Sequence, residues 1–289
     1  MSETQIAVLY FARKQVGIYF GIPVFIASII GELFSIIVLL SLNTFRQNSA
    51  GFYLIVMSIF NFIRLSFSTV FIIISLSFGM NYSVSIFFFC QLRNLIATTC
   101  NMGSITCLCM AVIDQYFATC SCLRWQQWSN IKVAHRVTII ITLIWLLNGI
   151  PYVIFFDKIS STNTAVCVTV NSIFLQYHTY GYFLTYNNLI PLITIIFGFM
   201  AFQNVRNLRY RTIPLVRREL EKQLTIMVLT QTLVYVCTYS PYSVVSTISA
   251  VNTNRDSVYL AVMNLANTVT VILSVYSNGV RMIFDKIMI

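Results

Sequence analysis

The sequence predicts an all-α fold, a bundle of seven membrane-spanning helices that forms a single domain over residues 1–289. Composition is the first reason, since 58% of the residues are hydrophobic and only 9% are charged, whereas an ordinary soluble domain carries roughly 25% charged residues. Run length is the second, because seven apolar stretches reach or exceed the roughly 20 residues that a helix needs to cross a bilayer. Strands of an outer-membrane barrel would instead show segments of about ten residues with alternating polarity.

Charged and turn residues mark the ends of the seven spans. The first span follows Arg13 and Lys14; its apolar run is too long for a cleaved signal peptide and no small-residue cleavage pattern closes it, so it is interpreted as a retained span. A short amphipathic helix is expected after the seventh span. In chain order the predicted spans are residues 16–42, 50–78, 88–118, 133–156, 183–204, 222–250 and 257–279.

The distribution of basic residues predicts the orientation. The connections on one face of the membrane hold twelve lysines and arginines, and those on the other face hold four: Arg13, Lys14, Lys158 and Arg255. Because the more basic face is normally cytoplasmic, the N-terminus is expected outside and the C-terminus in the cytoplasm. This asymmetry also accounts for the net charge of +10: the basic face meets the lipid bilayer and acidic cytosolic partners, and no nucleic acid is implied.

Two of the eight cysteines, Cys90 and Cys167, are predicted to lie on the outer side. An oxidising exterior favours a disulfide between them, which would tie the second outer connection to the third span. Asn81-Tyr82-Ser83 forms a glycosylation sequon on the same side. Neither outer cysteine has a cysteine or histidine neighbour at ligand spacing, so no metal site is predicted.

No arrangement of residues typical of an enzyme is visible. The chain has two histidines, His135 and His178, and eight scattered acids, with no glycine-rich phosphate loop and no paired carboxylates. Neither catalysis nor a cofactor is therefore expected.

The third span carries the strongest motif. Cys90 lies 24 residues before Asp114, and the stretch DQYFATCSCLRW from Asp114 to Trp125 follows. These residues resemble the disulfide cysteine and the Asp-Arg-Tyr region of rhodopsin-like (class A) G-protein-coupled receptors. The resemblance extends over essentially the whole chain, with further landmarks in order at Trp145, Pro191, Pro241 and Tyr276.

The resemblance implies a plasma-membrane receptor that binds an extracellular small molecule or short peptide and signals through a heterotrimeric G protein. The residue that decides amine binding in the family is Ala97 here rather than aspartate, and the seventh span has no lysine for a retinal Schiff base. Biogenic amines and retinal are therefore not expected. The residues expected around the ligand are Arg93, Ala97, Thr98, Asn101, Phe183, Asn187, Tyr239, Tyr242 and Val262.

Arg93 is the one cation expected near the mouth of that site. It would either bind the carboxylate of a peptide, lipid or organic acid, or pair with Asp157 or Asp256. Both interpretations remain open from the sequence.

The resemblance also implies a cytoplasmic switch made by Asp114, Gln115 and Tyr116. The family has arginine where this chain has Gln115, so the contact with Glu221 on the sixth span is expected to be a weaker neutral–charged hydrogen bond. Leu123 would enter a hydrophobic pocket of the G protein. Tyr276 would act near the end of the seventh span.

Two of the charges within the predicted spans, Glu32 and Arg64, lie far from the span ends. Glu32 and Arg64, with Asn61 between them, occupy the region where the family has its sodium site. Intramembrane charges normally face the bundle and pair, so an ion pair between Glu32 and Arg64, braced by Asn61, is the first hypothesis. The alternative is that Arg64 reaches water while Glu32 is protonated.

Two other functions fit part of this pattern. A transporter or channel would use Glu32 and Arg64 to mark an ion path, although the two halves of the chain lack the paired broken segments typical of secondary transporters. A receptor-like decoy would keep the fold and lose ordinary coupling, because of Gln115.

Overall fold

The structure is a computed structural model that describes residues 2–78, 87–161, 164–169, 171–207, 215–251 and 256–288. The predicted helical membrane bundle is confirmed: among these residues, seven helices are long and apolar enough to cross a membrane. They are called spans 1 to 7, and their bounds are Glu3–Ser41, Ser49–Ser75, Phe89–Thr119, Ile131–Phe155, Ser172–Arg206, Lys222–Ser249 and Ser257–Gly279.

Each span is built from one or more helical elements. The α-helices are α1 Ser2–Val16, α2 Ile22–Ser41, α3 Asn43–Gln47, α4 Ser49–Arg64, α5 Val70–Phe78, α6 Phe87–Thr119, α7 Leu123–Gln126, α8 Ile131–Phe155, α9 Ser172–Gln176, α10 Asn187–Asn207, α11 Leu215–Val251 and α12 Ser257–Met288. Spans 1, 2 and 5 also contain π-helical segments, at Gly17–Gly21, Leu65–Thr69 and Tyr177–Tyr186.

Span 1 begins earlier than residue 16, the predicted start. Arg13 and Lys14 were expected to precede the span but lie in the last turn of α1, which continues into the rest of the span. The Arg13 Nε donates a hydrogen bond to the Thr268 Oγ1 in span 7, at 3.2 Å. The basic pair therefore lies inside the span rather than before it.

Two further boundaries differ from the prediction. Span 5 starts at Ser172 rather than at residue 183, because α9 and the π segment Tyr177–Tyr186 extend it. The short amphipathic helix expected after span 7 is not a separate element, since α12 runs without a break to Met288.

A β-hairpin joins spans 4 and 5, an element that the all-α prediction lacks. Strand β1, Phe156–Ser161, pairs antiparallel with β2, Thr164–Thr169. The disulfide Cys90–Cys167 attaches the hairpin to span 3, with 5.9 Å between the two Cα atoms. The end of the bundle that carries this hairpin is called the hairpin end, and the opposite end is called the Asp114 end.

The interior of the bundle has two clusters of buried apolar side chains. One lies toward the Asp114 end and contains Leu39, Leu54 and Met227. The other lies toward the hairpin end and includes Trp145, which is buried among Met102, Ile105, Ile141, Tyr182 and Tyr239. The indole Nε1 of Trp145 donates to the Thr106 Oγ1 at 3.0 Å, which fixes span 4 against span 3.

Small residues let spans 1 and 7 approach closely. A Cβ atom at Gly31 would lie 3.3 Å from the backbone oxygen of Asn278 and 3.3 Å from the Cα of Gly279. The Ser28 Oγ donates to the Val275 backbone oxygen at 2.8 Å across the same interface. Such close packing through small residues is typical of helix pairs in membranes, where there is little hydrophobic driving force between helices.

Candidate functional site

Two adjoining cavities lie inside the bundle. The cavity nearer the hairpin end, called the upper cavity, has a volume of about 90 Å³. The lower cavity has a volume of about 20 Å³, which is room for about one water molecule. Residues from spans 2, 3, 6 and 7 line both, and the shared residues are Arg64, Asn101, Tyr239 and Ser274.

The π segment of span 2 shapes one wall of the upper cavity. It begins directly after Arg64, and the Thr69 Oγ1 donates to the Arg64 backbone oxygen at 3.3 Å. Ser68 and Thr69, both buried, line the cavity beside Arg64. Short π segments inside α-helices occur often at functional sites, and this one brings a cation and two hydroxyl groups to the same wall.

Asn101 links three spans at the floor of the upper cavity. Its Nδ2 donates to the hydroxyl oxygens of Tyr182, at 3.1 Å, and Tyr239, at 2.9 Å. The Tyr239 hydroxyl in turn donates to the Asn187 Oδ1 at 3.1 Å. This network connects span 3 to spans 5 and 6 through buried groups, so a substitution at Asn101 removes hydrogen bonds to both neighbouring spans.

Three tyrosines form an aromatic face on span 6. Tyr235, Tyr239 and Tyr242 follow one another at helical spacing, which places them on one side of α11. The Tyr235 and Tyr239 rings stack with centroids 4.9 Å apart, and the Tyr239 and Tyr242 rings meet edge to face at 5.5 Å. Tyr239 lines both cavities, while Tyr235 lines the lower one and Tyr242 the upper one.

Glu32 and Arg64 do not form the predicted ion pair. The Glu32 Oε1 accepts a hydrogen bond from the Asn61 Nδ2 at 3.0 Å, so that part of the expected polar network is present. The Arg64 side chain lines the cavities instead, and within the described part of the chain its guanidinium forms no hydrogen bond or ion pair. The hypothesis of a Glu32–Arg64 pair is therefore not supported.

Four residues predicted to surround a ligand line the upper cavity together: Ala97, Asn101, Tyr239 and Tyr242. Asn187 is joined to them through Tyr239. The residues that the prediction missed there are Ser68, Thr69, Ile72, Tyr182, Val271, Ser274 and Val275, while Arg64 was singled out for a different role. Tyr182 could have been found from the sequence, because His178, Tyr182 and Tyr186 are each four residues apart and would share one face of a helix.

Three other predicted ligand residues do not line the cavity. The Thr98 hydroxyl bonds to the backbone oxygen of Asn94, at 2.8 Å, within its own helix. Val262 is 47% exposed on the surface of the bundle, and Arg93 lies elsewhere on span 3. The side chain of Phe183 lies outside the described part of the chain.

At the Asp114 end, the carboxylate of Asp114 holds three elements together. Its Oδ2 accepts hydrogen bonds from the Ser49 Oγ at 2.6 Å and from the Ser129 Oγ at 3.1 Å. Ser49 begins span 2 and Ser129 precedes span 4, so the carboxylate connects both to the end of span 3.

Gln115 makes the contact between spans 3 and 6. It is 1% exposed, and its Oε1 accepts a hydrogen bond from the Thr225 Oγ1 at 2.8 Å. The side chain of Glu221, the predicted partner, lies outside the described part of the chain, so that contact stays a prediction. Thr225 is one helical turn further along span 6.

The remaining predicted switch residues occupy different surroundings. Tyr116 packs edge to face against Phe197 of span 5, with ring centroids 5.5 Å apart. Tyr276 is 49% exposed on α12 and lines neither cavity. The Leu123 side chain and the Asn81 sequon lie outside the described residues.

No group of three histidine, cysteine or acidic side chains that could hold a metal ion occurs among the residues that the structure describes.

Comparison with known protein families gives a match. The sequence model of a family described as 7 transmembrane receptor (rhodopsin family) matches residues 34–278, which is most of the chain. No curated protein matches the sequence.

Proposed function

Because the chain belongs to the rhodopsin family of seven-transmembrane receptors, we propose that it is a G-protein-coupled receptor of the plasma membrane. It binds an extracellular small molecule or short peptide and signals through a heterotrimeric G protein. Members of this family are in general not enzymes, and no catalytic role is proposed.

The proposed orientation puts the hairpin end outside the cell and the Asp114 end in the cytoplasm. The disulfide Cys90–Cys167 lies at the hairpin end, and disulfides persist in oxidising surroundings such as the cell exterior. The basic residues around Arg124 and Arg136 lie at the opposite end, as expected for a cytoplasmic face.

One observation carries the proposal: a cavity of about 90 Å³ lies between the spans near the hairpin end. Its lining combines apolar and aromatic surface with a few polar groups, and four of the residues expected around a ligand are among them. A ligand there would contact spans 2, 3, 5, 6 and 7.

The same helices connect this cavity to the Asp114 end. Spans 3 and 6 meet near the cavity through Asn101 and Tyr239, and again at the Asp114 end through Gln115 and Thr225. A ligand that binds more tightly to one arrangement of these spans shifts the population toward it. We propose that this shift opens or closes the Gln115–Thr225 contact, which the G protein then detects.

The test is a G-protein activation assay in cells, read separately for each G-protein class, with a chemically broad set of ligands. At least one ligand is expected to raise the output of the wild-type receptor. Tyr239→Phe removes the hydroxyl that joins Asn101 to Asn187, and its expected effect is a loss of ligand potency of about tenfold. Tyr180→Phe is the matched control, because Tyr180 is 53% exposed and lies outside the cavity.

A second arm addresses Gln115. Replacing it with arginine restores the residue that the family carries, and ligand-dependent activation is expected to rise. Ion flux is measured in the same cells. Flux without activation in either receptor would identify a transporter or channel, and silence in both measurements across the ligand set would identify a decoy; either result overturns the proposed function.

A further inference from the structure

The guanidinium of Arg64 is a cation inside a membrane span, and no acidic side chain among the described residues pairs with it. Such charges are costly in a bilayer and normally pair or face a water-filled cavity. Arg64 faces the cavities, and its Nε is buried without a hydrogen-bond partner. A buried polar group in this state calls for an explanation, because the great majority of such groups are satisfied.

The two described carboxylates in the interior of the bundle have other partners. Glu32 accepts from Asn61, and Asp114 binds Ser49 and Ser129 at the far end. Within the described residues the Arg64 guanidinium takes part in no ion pair. Its positive charge is therefore directed at the cavity rather than at a protein acid.

The neighbours of Arg64 complete a site for an acceptor. Arginine only donates hydrogen bonds, and the hydroxyl groups of Ser68 and Tyr242 line the same cavity. Tyr239 and Tyr242 supply an aromatic wall, with Ile72 as an apolar neighbour. The site thus offers one fixed positive charge, two hydroxyl groups and mostly apolar surroundings.

We propose that the ligand of the upper cavity is a small organic monocarboxylate whose carboxylate binds Arg64 and whose apolar body lies against Tyr239 and Tyr242. This inference rests on the proposed receptor function and names its ligand class. A planar guanidinium matches a carboxylate with two parallel hydrogen bonds. The single cation in the lining matches one negative charge, and a phosphate dianion would leave part of its charge uncompensated.

The test measures binding to the purified receptor, without a G protein, as the rise in thermal unfolding midpoint. The probes are linear, branched and aromatic monocarboxylates from propionate to dodecanoate, each compared with its primary amide and with sodium chloride at equal ionic strength. At least one acid is expected to stabilise the wild type more than its amide does. The chain length that stabilises most distinguishes a soluble acid from a fatty acid that enters from the bilayer.

Variants locate the binding to Arg64. Arg64→Gln is expected to lower the affinity for the best acid by about tenfold or more, while leaving any weak affinity for the amide unchanged. Arg64→Lys keeps the charge but loses the planar fork, so a smaller loss is expected. Arg13→Gln is the matched control, since Arg13 is also a half-buried arginine in a span and lies outside the cavity.

Three results would overturn the inference. In the first, no acid raises the unfolding midpoint more than its amide does. In the second, chloride raises the midpoint as much as every acid does. In the third, Arg64→Gln and Arg13→Gln lose equal affinity for the acid. If Arg64→Gln does not fold, the ratio of acid affinity to amide affinity is measured in Arg64→Lys instead. A ratio lower than that of the wild type supports binding at Arg64, and an unchanged ratio shows that the acid binds elsewhere. Binding of an acid without G-protein activation would contradict the receptor function alone, and activation by a ligand other than an anion would contradict this inference alone.

Discussion

At the scale of single residues, Gln115 replaces a charged contact by a neutral one. Its Oε1 accepts a hydrogen bond from the Thr225 hydroxyl, and both side chains are buried. A neutral hydrogen bond contributes about 1 kcal/mol, and charge-assisted bonds are roughly twice as strong. The state in which spans 3 and 6 touch at the Asp114 end is therefore only modestly favoured by this contact.

Removing the hydroxyl of Thr225 should release that state. Thr225→Val keeps the shape of the side chain and leaves Gln115 without its donor, at a cost of about 1 kcal/mol. Ligand-independent G-protein output is expected to rise about fivefold, since roughly 1.4 kcal/mol corresponds to a factor of ten. The measurement is basal second-messenger output normalised to surface expression.

Thr230→Val is the control for this change. The Thr230 hydroxyl bonds to the Ile226 backbone oxygen within its own helix, so basal output should stay at the wild-type level. Equal output from both variants would show that the Gln115–Thr225 contact does not hold the resting state.

The family resemblance predicted part of the cavity. It placed Tyr239 and Tyr242 around the ligand, and both line the upper cavity. Thr98 was misjudged because a threonine in a helix readily bonds to the carbonyl oxygen four residues earlier. The π segment that begins directly after Arg64 is a local departure from the α-helix that no sequence pattern predicted.

At the scale of elements, the hairpin is held in place from two sides. The disulfide joins β2 to span 3, and the Gln91 Nε2 donates to the Phe156 backbone oxygen of β1 at 3.1 Å. The hairpin was not predicted, because its twelve paired residues include polar ones, which are typical of a connection between two apolar runs. Its β-branched residues favour strands, but the hairpin is also attached to span 3 through the disulfide, a contact between residues far apart in the sequence.

Opening the disulfide should loosen this element. Cys167→Ser is expected to lower the free energy of unfolding by about 2 to 4 kcal/mol, because the bond restricts the unfolded chain. The checks are cell-surface expression and the thermal unfolding midpoint in detergent. Cys122→Ser removes an exposed free thiol and should change neither; a fall of the same size in both variants would contradict a specific role for the disulfide.

The interface between spans 1 and 7 offers a second test at this scale. A side chain at Gly31 would be forced against the backbone at Asn278 and Gly279. Gly31→Leu is therefore expected to destabilise the receptor by about 1 to 3 kcal/mol through overpacking, measured as a lower unfolding midpoint. Ile30→Leu, at a neighbouring position that is 45% exposed, should have little effect, and an unchanged midpoint in both would contradict the close approach.

At the scale of the whole molecule, the helical bundle could be predicted because lipid leaves few choices. Every backbone polar group in the hydrocarbon region must be satisfied within the protein, so long apolar runs become helices. The exact ends were less predictable. Arg13 and Lys14 suggested a boundary, yet the Arg13 bond to Thr268 keeps them within one continuous helical span.

Orientation is a property of the whole chain and has a direct test. An epitope tag at the N-terminus is expected to bind antibody on intact cells, because the more basic connections are placed in the cytoplasm. A tag at the C-terminus should bind only after permeabilisation. A receptor with an even number of crossings would show both tags on one side, and the inverted topology would exchange the two results.

The intrinsic fluorescence of Trp145 can report how the spans pack. The chain has three tryptophans; Trp145 is buried between spans 3, 4 and 5, while Trp125 and Trp128 are 48% and 58% exposed. With the two exposed indoles changed to phenylalanine, and with excitation at the long-wavelength edge of the indole band, where the 16 tyrosines do not absorb, ultraviolet emission would come from Trp145 alone. Its hydrogen bond to Thr106 and its edge-to-face contact with Tyr186 make the emission wavelength sensitive to the packing of the ligand-facing spans, so helix rearrangement is observable without an attached dye.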